Sequence, residues 1–526
     1  MKPGARMAAV SVRQKFKDMI TGGVMFENTK KSLTYYAETF MVALLIAQPI
    51  LDVISYFMLQ NAMSAFTTAL RTIILLAVSA YGFIISDEKR SHLILYAVLI
   101  IFWIFHILAC LRGGYSHPIV DFGEFLKLAQ FPLWTFAFIA VFRQCEDLNL
   151  SISGILVINF CIILMVIALS FLTKHPGYTY DYPDRNVQIG LLGWFYVSNA
   201  QSAIVSVLVP FVLLWAFQRH NLLLFCIAAA LGFGLLYFTG TRLAFYAAIL
   251  IALTFSAVII WNRQMLVYCV PLFLAVILLF AFRGQSPMAE RQALTADSYA
   301  VYQEKTDEVM GNDKDFVYDP EVGMTAEIAE KVQRVYLEVY SGKGIYGNPL
   351  LGDLIHRFGV EKVMEAYDYS IKPQDLYNVR EKKLICVKLI REEKGFMSQL
   401  FGFEYAELLI NQESFDPEND FPALIGFYGY AGLILYAGFI LYFILSSIWA
   451  LIEEFPDFLT IEFGTVAISF TLLLGAAQLS GNVLRKPSVV VYLALFAAII
   501  YTLINKPTHR KNFNYRKKSV VYIKTP

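Results

Sequence analysis

Three short stretches put charge where it could do chemistry. Thr239-Gly240-Thr241-Arg242 interrupts a long apolar region. A guanidinium is a permanently charged planar fork that can grip a phosphate through two hydrogen bonds. Where a helix begins, free N–H groups and the helix dipole add to that attraction. The plainer reading of Arg242 is an arginine that snorkels to a membrane interface. Further on, Arg380-Glu-Lys-Lys and Arg391-Glu-Glu-Lys394 place Arg380, Leu384, Lys388 and Arg391 on one helix face. That stripe could meet a pyrophosphate, or it could be a solvated face partnered by its own glutamates. Glu418-Asn419-Asp420 stand directly before an apolar run that opens at Phe421. Acids there suit ordinary helix capping. At a membrane surface, a partly buried one could serve as a general base.

The elements that must position these residues are membrane helices. Of the 526 residues, 57% are hydrophobic and 16% charged, with mean hydropathy +0.55. A soluble domain spends about a quarter of its residues on charge, so most of this surface faces something other than water. Twelve apolar runs of about 18 residues or more, each able to cross roughly 30 Å of hydrocarbon, follow one another from Phe40–Met58 to Val489–Ile504. The ninth is expected near Met265–Phe282 and the tenth, unusually long, over Phe421–Ile448. The expected fold class is an all-α polytopic membrane protein with one large, mainly helical loop. Its organisation reads as an N-terminal segment 1–38, nine spans in 39–282, a loop domain 283–420, three spans in 421–505 and a basic tail 506–526.

Lys2, Arg6, Arg13, Lys15, Lys17, Lys30 and Lys31 crowd the first end, and Lys506, Arg510, Lys511, Arg516, Lys517 and Lys518 the last. The positive-inside rule puts both ends in the cytoplasm, and an even number of crossings agrees. Lys89, Arg90, Arg143, Arg219 and Arg263 then also fall inside, while Arg485 and Lys486 are the exception. The same counting places the Arg242 turn and the 283–420 loop together on the outer face. That loop holds ten more acids than bases, as suits a translocated segment. Within it, Thr325–Tyr340 and Val379–Leu400 read as amphipathic helices and Ser341–Pro349 as a Gly-rich turn.

Net charge of +1 and pI 7.6 do not point to a nucleic-acid partner. Cys110, Cys145, Cys161, Cys226, Cys269 and Cys386 include no CxxC pair. The seven histidines form no metal-like cluster, and neither HExxH nor a phosphate-binding Gly-rich loop is present. Asp52, Arg71, Glu124 and Lys127 lie in or beside apolar runs, where ionisable groups are costly. Arg71 could snorkel or join an outer phosphate site, and Glu124 could pair with Lys127. Gly426, Gly429 and Gly432 are spaced for close helix packing.

In order and spacing the chain resembles the O-antigen ligase and O-antigen polymerase superfamily of bacterial envelope glycosyltransferases. The likeness rests on Gly193 to Asn199 opening a mid-chain helix and on the Thr239–Arg242 turn. It rests also on Arg380 some twenty residues before Leu400-Phe401-Gly402, and on Glu418-Asn419-Asp420 followed by Gly429-Tyr-Ala-Gly432. Two positions depart: Glu418 stands where the family has a histidine, and Glu404 where the loop step has its second glycine. The resemblance implies a glycosyltransferase of the bacterial cytoplasmic membrane working at its outer face. The donor would be a glycan on a polyprenyl diphosphate and the acceptor a glycan or lipid, with no metal or cofactor. Arg242 with Arg380 or Arg391 would hold the pyrophosphate, Glu418 or Asp420 would take the acceptor's proton, and Asn199 and Asn419 would support them. Ligation and polymerisation use the same parts. A polytopic transporter or flippase is the alternative from another class, though matching broken helices in two related halves are not evident.

Overall fold

The computed structural model describes residues 24–505 apart from 62–63, 145–151, 183–185, 264, 345–349, 412 and 482. The bases from Lys2 to Lys17, the tail from Lys506, Cys145 and most of the Gly-rich turn lie outside the described residues. Among those described, eleven helices are long and apolar enough to cross a membrane, and the chain is an all-α multi-pass membrane protein. Closed backbone hydrogen bonding within each helix is what permits this in hydrocarbon.

A short helix α1 (Val24–Tyr35) leads into α2 (Ala37–Gln60), α3 (Ser64–Ile85), α4 (Lys89–Gly113), α5 (Pro118–Gln144) and α6 (Ile152–Leu172). After the hairpin β1 (Tyr180–Tyr182) and β2 (Val187–Ile189) come α7 (Ser198–Gln218), α8 (Leu222–Thr239) and α9 (Arg242–Trp261). The ninth apolar run is shorter than expected: Leu266–Ala281 reaches about 24 Å, with its α-helical part α10 confined to Cys269–Ala281.

The bundle is built around α7. Ala200 through Leu214 are buried without interruption, because small residues let neighbours approach and its hydroxyls bond back to their own helix, Ser202 to Ser198 O and Ser206 to Ser202 O at 2.7 Å each. Against it, Phe211 stacks on Phe496 at 5.2 Å. Peripheral helices turn apolar side chains outward instead. On α4 alone, Ile94, Val98, Ile101, Ile104 and Leu108 are exposed, a row that fits a lipid face and would be an aggregation liability in water.

Between α10 and the last spans, the insertion folds on α11 (Pro287–Met310) and α12 (Ala326–Arg334), the latter continuing as a π-turn to Val339. Short helices α13 (Gly352–Phe358), α14 (Val360–Ala366) and α15 (Pro373–Leu376) lead to α16 (Val379–Lys394) and α17 (Phe396–Phe401). The amphipathic helix expected to run to Leu400 is therefore broken at Gly395. Val332, Val335, Tyr336, Leu351, Cys386 and Ile390 form its buried centre. A second hairpin, β3 (Leu409–Ile410) and β4 (Glu413–Ser414), precedes α18 (Asp420–Glu453), then α19 (Phe455–Phe458), α20 (Ile461–Leu479) and α21 (Pro487–Asn505).

The length of α18 conceals a break: Gly429 has φ 62° and ψ −169°, outside the helical region. The first nine residues form a separate segment beside the insertion, and the long apolar remainder follows. Gly426 meets Val387 of α16 and Gly432 meets Phe102 of α4, so close packing by these glycines is realised. The intramembrane charges are paired, Arg71 to Asp52 at 2.6 Å and Lys127 to Glu124.

Candidate functional site

At the end of the bundle that carries the insertion, five elements meet: the α8–α9 turn, the start of α7, the start of α16, residues 416–420, and the α20–α21 turn. Asn378 caps α16 by accepting from Arg380 N at 3.1 Å, which fixes where the Arg380 side chain leaves the helix. Its Nε donates to Glu418 Oε2 at 2.9 Å, Nη1 to Leu479 O at 2.9 Å and Nη2 to Ser480 O at 3.3 Å. Those carbonyls are orphaned acceptors at the C-terminus of α20, where a cation also meets the favourable end of the dipole. Lys383 Nζ approaches Glu418 Oε1 at 3.6 Å, and Asn199 Nδ2 donates to the same Ser480 carbonyl at 3.1 Å. A Cβ on Gly481 (φ 77°) would fall 1.8 Å from Glu418 O, so the turn and the Glu418 backbone are pressed together. The Glu418 side chain is 28% exposed and Arg380 40%, leaving both within reach of a ligand.

The α8–α9 turn adds Arg242. Thr241 caps α9 by accepting from Ala244 N at 3.2 Å, and Arg242, exposed, is the first residue of the helix. It makes no ion pair with the described residues. The β1–β2 hairpin is tied to this turn: Thr179 Oγ1 donates to Thr239 O at 2.7 Å and Leu191 N to Phe238 O at 2.8 Å. Tyr180 in β1 is the point the charges share. Burial pushes its phenol up from the usual range, the charges of Arg291, Arg380 and Arg242 oppose that, and Glu418 adds to it. Arg291 of α11 stands over Tyr180 at 5.1 Å and Tyr182 at 5.6 Å. It escaped the sequence reading because its only signal is a cation whose aromatic partners lie over a hundred residues earlier.

Asp420 is placed differently from Glu418. It is fully buried, and its Oδ2 accepts from Val483 N at 2.7 Å and Leu484 N at 3.1 Å, with Arg485 Nε 3.4 Å from Oδ1. Arg485 in turn donates to Asp416 at 2.6 Å and to Pro417 O at 2.5 Å. Burial works against the charge on the Arg485 guanidinium, but Asp416 and Asp420 together outweigh it and hold the group above its usual range. Asn419 Oδ1 is buried with no hydrogen-bond partner. Arg391 is not gathered with Arg380. Eleven residues along α16, about 16 Å away, its guanidinium lies over Tyr430 at 4.8 Å.

One group forms that sequence spacing did not reveal. His106 and Cys110, one turn apart on α4, meet Asp121 of α5, and the donor atoms lie within 4.8 Å of one another, all buried. The ring spans two acceptors, Nδ1 at 2.7 Å from Phe401 O and Nε2 at 2.9 Å from Asp121 Oδ2. Both ring nitrogens thus have a polar partner, and the group ties α4 to α5 and to the Phe401 step. Beside it, the departure at Glu404 has a physical reason: its buried carboxylate accepts from Ser116 N at 2.8 Å and from His117 N, capping the N-terminus of α5.

Across residues 34–506 the chain matches the family model described as O-antigen ligase like membrane protein. No curated protein and no solved structure matches.

Proposed function

The chain belongs to the O-antigen ligase-like membrane-protein family, and on that premise we propose that it is a glycosyltransferase using a polyprenyl-diphosphate-linked glycan donor. It works at the outer face of the cytoplasmic membrane in cell-surface polysaccharide synthesis. The observation that carries the reading is the contact of a partly exposed carboxylate, Glu418, with Arg380, near Tyr180, over which Arg291 stands and whose phenol feels the charges of Arg242 and Arg380. Arg242 and Arg380 take the donor's diphosphate, with the lipid lying among the helices. Glu418 accepts the proton of the acceptor hydroxyl as its oxygen bonds to the anomeric carbon. The bond from that carbon to the diphosphate oxygen breaks with its electron pair leaving on the diphosphate, where the arginines stabilise the developing charge. Asn419 Oδ1, which has no partner among the described residues, can accept a hydrogen bond from a second hydroxyl of the acceptor. Glu418 is favoured over Asp420 because the Asp420 carboxylate is already filled by backbone N–H groups and Arg485.

Purified protein given a lipid-linked oligosaccharide donor and a glycan acceptor should transfer glycan, and Arg242→Ala and Glu418→Gln should each abolish transfer at normal protein level. Translocation of the donor without transfer would overturn the reading. In a deletion strain, single-unit surface glycans identify a polymerase, and full chains stranded on the lipid carrier a ligase.

A further inference from the structure

Every nitrogen of the Arg380 guanidinium already has one partner: Glu418, Leu479 O or Ser480 O. Two of the five N–H groups of the guanidinium remain, but a diphosphate that takes the Nε edge of the fork, where Glu418 sits, must displace the carboxylate. The two carbonyls cannot move readily: they end α20, Asn199 holds the Ser480 carbonyl, and Gly481 is wedged against the Glu418 backbone. Glu418 can yield, because it is a flexible side chain, 28% exposed, whose bond to Arg380 is a partly solvated ion pair of modest strength. We infer that Glu418 is the counter-ion of Arg380 and Lys383 in the resting protein, that the donor's diphosphate displaces it, and that donor therefore binds before acceptor.

The exchange is favourable because a diphosphate brings more negative charge and more acceptor oxygens to the same guanidinium than a carboxylate does. It also explains how one residue can be both counter-ion and base. While Arg380 holds one of its oxygens and Lys383 faces the other, the carboxylate is committed to them rather than to the acceptor. Released by the donor, it has free lone pairs, beside the unpartnered Asn419 Oδ1. The base is armed only when a leaving group is in place. This rests on the diphosphate reading of the site proposed above.

The test titrates farnesyl diphosphate into the purified full-length chain in detergent. Glu418→Gln removes the competitor and should tighten binding by roughly 3- to 10-fold; unchanged or weaker binding overturns the exchange. A second measurement uses the native chain, with no substitution. A carbodiimide should join Lys383 to Glu418 as an amide, read by mass spectrometry, and saturating farnesyl diphosphate should suppress the cross-link. A cross-link yield indifferent to bound diphosphate also overturns the exchange. A native chain that binds no diphosphate at all overturns the functional reading itself, and the two failures are thus distinguishable.

Discussion

Gly402 and Gly429 lock two chain segments together, each with its missing side chain aimed at the other segment's backbone. A Cβ on Gly402 (φ 86°) would sit 1.8 Å from Phe427 O, and one on Gly429 (φ 62°) 2.3 Å from the Leu400 carbonyl carbon. The Leu400-Phe401-Gly402 step and the break in α18 are therefore one feature, and they set how the segment after Glu418 enters the bundle.

Gly402→Ala and Gly429→Ala should each destabilise the protein by about 2–4 kcal/mol, from a left-handed backbone and a backbone clash together. Gly438→Ala, where nothing lies within 4 Å, is the control and should be neutral or slightly stabilising. Melting of the detergent-solubilised variants reads the difference; equal melting of all three would refute the interlock.

Glu404 makes a second prediction because it departs from the glycine of the family pattern and yet is buried. Its oxygens satisfy N–H groups at the start of α5, so Glu404→Gly, which restores the family residue, should cost about 1–3 kcal/mol here. A variant that melts as the native chain does would mean the cap contributes nothing.

Lys382 gives a pH dependence. It is 5% exposed, and burial pushes its ammonium down to about 8, with Lys383 adding to the shift and Glu413, Asp353 and the Cys386 thiol opposing it. The folded state then holds fewer protons than the unfolded one between about 8 and the ordinary 10.5. Stability should rise with pH across that window, and the full penalty applies below it. The Phe415 ring 5.1 Å from the ammonium favours the charged form, which holds the penalty to about 1–3 kcal/mol. Lys382→Met should melt higher than the native chain at pH 7 and lose that advantage near pH 10.5. Parallel melting profiles would contradict the assignment.

The helices were legible because hydropathy is a local property. A run of apolar residues declares a span whatever it packs against, and the ninth run fell short only because its end is not set by composition. The break at Gly429 was hidden for the opposite reason: it is imposed by Leu400, about thirty residues away. The same holds at the site. Arg242, Arg380 and Glu418 stand out by type, but that Arg380 meets Glu418 while Arg391 lies a helix length off follows from the path of the chain, not from spacing. Arg485 looked like an exception to the charge rule. Paired with Asp416 and Asp420, it carries little uncompensated charge.

The two acids flanking Asn419 should separate cleanly on substitution. Asp420→Asn weakens a buried carboxylate that holds Arg485 and the α20–α21 turn, which should cost about 3–5 kcal/mol and lower the amount of folded protein. The folded fraction should keep most of its transfer rate, since Asp420 faces no open surface. Glu418→Gln keeps the shape of a partly exposed side chain, so melting should barely change, while transfer falls by about 10²–10⁴-fold if it is the proton acceptor. Melting and rate per folded molecule, measured on both variants, test the division. If Asp420→Asn loses its rate while Glu418→Gln keeps its own, the two roles are reversed and the base is the buried acid.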